Sequence, residues 1–306
     1  MSIVNDLINC FKTEAFTLKD AYKACENVNK ESVRARIYEH LGVEFKRLGK
    51  GLYITNSSDC LLIEGDGRDL SILENSSIDC IITDHPWSDK KANKGGNRNF
   101  AKYECFEYTL EDFKEKARVL KEGSFLVEVI PNENESNFDY LYNMKKLAQE
   151  AGFQYYCKVP FVKGKFVSNT GRCVKNREDL MIFSKGKART LKPDKQRGID
   201  ENGNPTRFMS GTSSMLPAEF NVQPPTKKEQ ICQSEKPSLL FEQLLQYITL
   251  ENEVVLDQFA GSGSVGQACI NTNRKCILIE KAKECVGKII NRLGMDCVTV
   301  VGNMSA

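Results

Sequence analysis

The spacing of hydrophobic positions changes near residue 55, and the change divides the chain in two. Before it, apolar residues recur at helical spacing. A weakly amphipathic stretch covers Ile3–Phe11, a second run covers Leu18–Glu26 behind Thr17, and a third covers Glu31–Leu41 behind Asn29. Thr17 and Asn29 are suited to cap those helices. In the third run Val33, Ile37 and Leu41 share one face, while Arg34 and Arg36 fall outside it. The segment VEFKRLGKGLYI then alternates around Gly49 and Gly51, as a two-stranded ribbon does. From residue 60 short apolar runs alternate with helical stretches. Candidate strands are Cys60–Ile63, Ile78–Thr83, Phe125–Ile130, Leu180–Phe183, Val254–Asp257 and Cys276–Ile279. Runs buried on both faces and separated by helices predict an α/β fold over residues 56–306, with a doubly wound, mostly parallel sheet. Between about 158 and 228 the regularity fails, in FVKGKF, QRGIDENGNPTRF and SGTSSMLP, which predicts a long irregular insertion.

Charge changes this picture only when it is divided. Forty-three basic and forty-one acidic residues leave a net charge of +2, which by itself argues for no partner. Residues 158–228, however, carry fifteen Lys/Arg against six Asp/Glu, and residues 88–103 hold five basic residues against Asp89 alone. Such segments suit a polyanion. The apolar runs are too short to cross a membrane. MSIVNDLINCFK lacks the layout of a signal peptide, so the cytoplasm is the expected location. Twelve cysteines without a C-x-x-C pair, and only two histidines, argue against a metal site and against a disulfide scaffold. Most of these thiols are expected as small buried hydrophobes. Residues 1–55, three helices followed by a basic hairpin, resemble a winged helix-turn-helix unit, with Arg34, Arg36, Lys46, Arg47 and Lys50 on the elements that would meet duplex DNA. A structural or protein-binding three-helix cap is the alternative.

Two segments carry chemistry. In VVLDQFAGSGSVGQACINTNRKCILIE, residues 254–280, a buried strand ends in Asp257, a turn contains Gly261 and Gly263, and a helix begins near Ser264. A second strand closes in Glu280. Small residues let the backbone approach a nucleoside, the helix N-terminus offers free N–H groups, and the acidic residue can accept from ribose hydroxyls. In SIDCIITDHPWSD, residues 77–89, a hydrophobic strand delivers Asp84, His85, Pro86 and Trp87 at its carboxyl end. An acidic acceptor, a constrained turn and an aromatic suit a planar, amino-bearing ring. Trp87, the single tryptophan, would serve equally as a core anchor.

DQFAGSG followed by Glu280 resembles the DPFxGSG cofactor motif of the β-class amino-methyltransferases that modify exocyclic amines of DNA bases, and DHPW resembles their catalytic DPPY/DPPW motif. SEKPSLLFEQLLQYI at 234–248, GDGRDL at 65–70 and REDLMIFSKGK at 177–187 are similar to three further family segments. The catalytic motif comes first, the irregular insertion second and the cofactor motif last, which is the circularly permuted order of the β class. The implied fold is the seven-stranded methyltransferase sheet, and the implied cofactor is S-adenosylmethionine.

By the same resemblance, Asp84 and the main-chain carbonyl of His85 would accept from an exocyclic amine of a flipped base, most closely adenine N6, and Trp87 would stack on that base. Glu280 would bind ribose, and Asp66 would lie by the cofactor adenine. Asp257, Phe259, Gly261, Ser262 and Gly263 would form the cofactor turn, with Lys236, beside Pro237, meeting the methionine carboxylate. Double-stranded DNA is the implied partner. Lys90, Lys91, Lys94 and Arg98 after the catalytic motif, and Lys163, Lys165 and Arg172 in the insertion, are candidates to contact it, with 158–228 reading the target. A homodimer, a cognate restriction enzyme and a bacterial, phage or mobile-element origin also go with the family. Two positions depart from it: His85 and Gln258 stand where the family has proline. Histidine keeps the needed carbonyl but loses proline's fixed φ, so either the surrounding packing restores the turn or activity suffers. His85 as a general base is a third reading. An RNA adenine methyltransferase, a cytosine-N4 enzyme and a non-catalytic DNA-binding regulator are the rival functions. Cytosine C5 chemistry is disfavoured because the chain has no Pro-Cys pair.

Overall fold

The computed structural model describes residues 2–11, 15–41, 44–49, 51–55, 59–87, 105–164, 176–192, 202, 215–232, 235–295 and 297–301, without the side chains of residues 46, 48 and 49. The chain begins with α1 (Ile3–Phe11), β1 (Phe16–Thr17), α2 (Leu18–Ala24) and α3 (Lys30–Glu39), then β2 (Phe45–Gly49) and β3 (Leu52–Thr55). Thr17 caps α2 in a reciprocal box. Its Oγ1 accepts from the Asp20 N–H at 3.3 Å, and its own N–H donates to Asp20 Oδ2 at 2.8 Å. Asn29 caps α3 by accepting from the Glu31 N–H at 2.7 Å. The three strands form an antiparallel sheet in the order β1-β3-β2. Leu7, Phe16, Val33, Ile37, Phe45 and Tyr53 build a small core beneath it.

β3 is buried on both sides. Tyr53 belongs to this first core, whereas Leu52 and Ile54 pack with Leu61 and Ile63 of the larger unit. Arg47 joins the same junction, its Nε 2.8 Å from Glu74 Oε1.

The larger unit is a nine-stranded sheet. Its strands are β4 (Cys60–Glu64), β5 (Ile78–Thr83), β6 (Leu120–Pro131), β7 (Phe153–Val162), β8 (Arg177–Lys185), β9 (Phe220–Asn221), β10 (Val254–Asp257), β11 (Lys275–Glu280) and β12 (Val298–Val301). They lie in the order β12-β4-β11-β10-β5-β6-β8-β7-β9. The run from β12 to β6 is parallel throughout, and β8 is antiparallel to both β6 and β7. Seven strands were expected, and β12 and β9 extend that sheet at its two edges.

Alternate residues of the central strands enter opposite cores. Cys60, Leu62, Cys80, Ile82 and Val255 meet α6 (Ser238–Ile248), α7 (Ser264–Asn271) and α8 (Lys283–Leu293) on one side. Leu61, Ile63, Ile81 and Leu256 meet α4 (Leu110–Val119) and α5 (Phe138–Glu150) on the other. This burial on both faces accounts for the unbroken apolar runs in the sequence.

The stretch 158–228, expected as a long irregular insertion around the candidate strand Leu180–Phe183, holds regular elements among its described residues. It contains the end of β7, all of β8 between β6 and β7, and β9. The cysteines also divide. Cys60, Cys80, Cys269 and Cys276 are buried in the main core, but Cys10 and Cys105 are exposed. Among the described residues no helix is long and apolar enough to cross a membrane.

Candidate active site

β5 and β10 are parallel neighbours, with Cys80 opposite Val255 and Ile81 opposite Leu256. After β5 the chain continues to β6 on one side, and after β10 it continues to β11 on the other. A crevice therefore opens at their carboxyl ends, at the position where open α/β sheets bind ligands. Asp84–Trp87 leave β5 and Asp257–Gly263 leave β10 at this edge, so the sheet brings together two segments separated by about 170 residues.

The turn after β10 is held open by glycines with left-handed backbone. Gly261 has φ +52° and Gly263, the N-cap of α7, has φ +77°. The left-handed conformation favours glycine at 263, where a Cβ would also press on Ile289 of α8 at 3.2 Å. Glu280 closes β11 beside this turn. Its Oε2 accepts from the Gly261 N–H and its Oε1 from the Ala282 N–H, each at 2.7 Å. Burial raises the Glu280 carboxyl above its ordinary range even though these bonds favour the ionised form. Asp257 is buried, and its Oδ1 accepts from the Phe259 N–H at 3.1 Å. Burial, with the Asp84 and Glu280 charges adding to it, pushes the Asp257 carboxyl up to about 8.

Asp66 lies exposed in the turn after β4, accepting from the Arg68 N–H at 3.0 Å and facing Lys281 Nζ at 3.7 Å. That turn is fastened to the glycine turn by Gln258, whose Nε2 donates to the Gly67 carbonyl at 2.7 Å. A Cβ on Gly67 would come within 1.8 Å of the Gln258 carbonyl oxygen. The family-atypical Gln258 thus joins two loops that proline could not join. Ser262 is buried, with its Oγ 3.0 Å from Ser264 Oγ, and Arg292 of α8 reaches both the Ser262 carbonyl and Glu235.

Lys236, expected to meet the methionine carboxylate, has its Nζ 2.7 Å from Asp84 Oδ2 and 3.4 Å from Glu178 Oε2. Against the pull of burial, these two carboxylates hold the ammonium charged well above the ordinary lysine range. Lys163, expected on DNA, is turned onto the same cluster and pairs with Glu178 Oε1 at 2.6 Å. Two anions and two cations alternate here, Asp84–Lys236–Glu178–Lys163, which balances charge beside the catalytic turn. Pro237 supplies the N-cap of α6, directly after the lysine.

Pro86 and Trp87 are half-buried, and the Pro86 carbonyl accepts from the Phe106 N–H at 3.2 Å. The Phe106 ring stands 5.4 Å from that of Phe259, so it touches both turns. His85 is buried. Only 1% exposed, it packs 4.3 Å from Tyr108, places Nδ1 3.3 Å from Glu128 Oε2 and contacts the Tyr140 hydroxyl through Nε2. Its ring is therefore enclosed by protein, with Tyr140 as the hydrogen-bond partner of Nε2.

Of the expected DNA contacts, Arg34 and Arg36 are exposed on α3. Arg34 lies over Tyr38, and Arg36 pairs with Glu39. Arg47 pairs with Glu74 at the junction. Lys50, Lys90, Lys91, Lys94, Arg98, Lys165 and Arg172, together with the side chain of Lys46, lie outside the described residues. Sequence reasoning missed Gly67, Glu128, Tyr140, Glu235 and Arg292. The GDG tripeptide offered a signal for the first, but the others declare themselves only through long-range contacts.

The fold and this crevice define an α/β enzyme that binds a nucleoside-type ligand between two strand ends. A family model described as DNA methylase matches residues 78–291, and the chain belongs to that N6/N4 family. It is 29% identical over 232 residues to Type II methyltransferase M.HpaI of Haemophilus parainfluenzae, covering 74% of this chain and 71% of that protein. Among solved structures, the M1.HpyAVI–SAM complex aligns with a TM-score of 0.54 at 21% identity, over 77% of this chain and 99% of the other. The cytosine-N4-specific PvuII DNA methyltransferase aligns with a TM-score of 0.57 at 18% identity, over 78% and 87%. The protein is a DNA methyltransferase of the N6/N4 family.

Proposed function

We propose that this chain is an S-adenosylmethionine-dependent DNA methyltransferase that modifies the N6 amine of an adenine drawn out of the duplex. The observation that carries the reading is the placement of Asp84 and the Gly261–Gly263 turn at adjacent carboxyl ends of parallel β5 and β10. The residues present fit the cofactor. Glu280, already oriented by two main-chain N–H groups, is an acceptor for ribose hydroxyls, and the left-handed glycine turn leaves the backbone accessible. When bound, the cofactor supplies an electrophilic methyl group on a sulfonium.

An aromatic amine is a weak nucleophile because its lone pair is delocalised into the ring. The Asp84 carboxylate and the His85 carbonyl would accept its two N–H bonds, drawing the nitrogen toward tetrahedral geometry with its lone pair facing the methyl group. Lys236 would orient the Asp84 carboxylate, as its 2.7 Å contact supports. Trp87 would stack on the base. An aspartate at the first catalytic position resembles the adenine subgroup, while the likeness to a cytosine-N4-specific enzyme keeps the second base in the test. Labelled S-adenosylmethionine and unmethylated genomic DNA provide that test. Wild type is expected to transfer label, and Asp84→Ala to abolish transfer at nearly unchanged cofactor affinity. Nucleoside analysis should return N6-methyladenine, and N4-methylcytosine would overturn the adenine assignment. Absence of transfer, with intact cofactor and DNA binding, would sink the enzyme reading.

The division into residues 1–55 and 56–306, with target recognition in 158–228, is part of the same proposal. The order α1-β1-α2-α3-β2-β3 and its antiparallel sheet support a winged helix whose α3 presents Arg34 and Arg36 to the duplex. If each arginine meets a phosphate, the double variant Arg34→Ala/Arg36→Ala lowers the log–log salt slope of DNA binding by about two. An unchanged slope would remove α3 from the interface.

A further inference from the structure

We propose that His85 is a positioning residue whose side chain, clamped between Glu128 and Tyr140 in a buried polar pocket, fixes the catalytic turn that proline fixes in relatives. The proposal rests on the methyltransferase reading above and concerns the partners of His85, namely Glu128 and Tyr140, which lie outside the motifs.

Glu128 sits in mid-β6, opposite Met181 of β8 and Thr83 of β5, and its side chain is fully buried. A lone carboxylate there would be strongly destabilising. It is matched by Lys116 of α4, equally buried, whose Nζ contacts Oε1. Tyr108 donates its hydroxyl to Oε2 at 3.3 Å, and its ring lies 3.8 Å from Lys116 Nζ. Burial alone would raise the Glu128 carboxyl, but Lys116 and His85 beside it outweigh this and hold it below the usual carboxylate range.

An ionised carboxylate facing Nδ1 calls for a proton on that nitrogen. Nε2 is then an acceptor, and the Tyr140 hydroxyl from α5 donates to it. Nε2 is thus satisfied, Nδ1 stands 3.3 Å from the Glu128 carboxylate without forming a hydrogen bond to it, and the ring is wedged among Phe106, Tyr108 and Tyr140 at centroid distances of 5.8, 4.3 and 5.8 Å. A side chain bonded through Nε2, set against a carboxylate at Nδ1 and packed among three rings fixes the backbone that carries it. The His85 carbonyl, one of the two acceptors proposed for the amine, is thereby aimed without a pyrrolidine ring. The buried charges of α4 and β6 and the hydroxyl of α5 together perform what one covalent constraint performs elsewhere.

Kinetics of His85→Ala, His85→Pro, Glu128→Gln and Tyr140→Phe test this, with S-adenosylmethionine affinity measured separately. His85→Ala is expected to lower kcat about ten- to a hundred-fold, the scale of a misaligned acceptor, with cofactor affinity unchanged. His85→Pro should recover most of kcat. Tyr140→Phe and Glu128→Gln should lower kcat in the wild-type background but not in the H85P background, a coupling that loss of packing alone does not produce. Should Glu128→Gln fail to fold, Tyr140→Phe, which deletes one oxygen, carries the comparison. Wild-type turnover by His85→Ala would overturn the proposal. So would an H85P variant as inactive as H85A with cofactor affinity intact, since the imidazole itself would then be required.

A readout independent of catalysis comes from the scarcity of histidine. Only His40 and His85 contribute imidazole nitrogens to NMR spectra. His85 should show the Nδ1–H tautomer and shift on Tyr140→Phe, while His40, beside Glu44, should not move. Should wild type transfer no methyl group, the function assignment fails while these spectra still decide the clamp. An unshifted His85 resonance would refute it.

Discussion

Asp257 shows how a buried carboxyl at the mouth of a cofactor crevice affects stability. Its pKa rises from 3.8 to about 8, burial being the main cause. Below the unfolded value both states hold the proton. As pH rises through the window between the two values, the unfolded chain releases a proton that the folded chain keeps, so folding stability is lost progressively. Asp257→Asn carries no titrating group in that position. The variant's Tm should fall less than that of wild type between about pH 5 and about pH 8, as thermal unfolding at constant ionic strength would record. Parallel pH profiles would show that Asp257 is ionised in the folded protein. At this scale the sequence was informative about which residues end strands, since Asp84, Asp257 and Glu280 all occupy strand ends as expected. It was silent about their partners. Nothing local to Lys236 says that Asp84, 152 positions away, will be its counter-ion.

Among the elements, the legible ones are those whose environment is uniform. β5, β10 and β11 are central, buried on both faces and read as unbroken apolar runs. β7 was missed because its residues Gln154, Tyr155 and Tyr156 are exposed and Pro160 interrupts its pattern, as befits a strand nearer the sheet edge. β12 is four residues long and β9 only two, too short for any period to register. Of β8 only the middle, Leu180–Phe183, was legible, because irregular, basic sequence flanks its six buried residues on both sides. The buried Lys116–Glu128 pair was equally hidden. Lys116 occupies an amphipathic helix in which lysine is ordinary, and only the fold turns that face inward. The His85 clamp could therefore not have been anticipated, although the missing proline marked where to look.

For the whole molecule, the junction between the two units has the widest reach. Two units with separate cores and a linker would be expected to move and melt independently. Here β3 contributes Tyr53 to one core and Leu52 and Ile54 to the other, and Arg47 of β2 pairs with Glu74 of the larger unit. The small three-helix unit cannot unfold without pulling β3 away from Leu61 and Ile63, which would expose apolar surface on the sheet that holds the crevice. Calorimetry should accordingly show one endotherm whose calorimetric and van't Hoff enthalpies agree, and two resolved transitions would show the units to be energetically separate. A strand shared between two cores makes folding of the small unit and integrity of the large one a single cooperative event, so damage to either is felt by both.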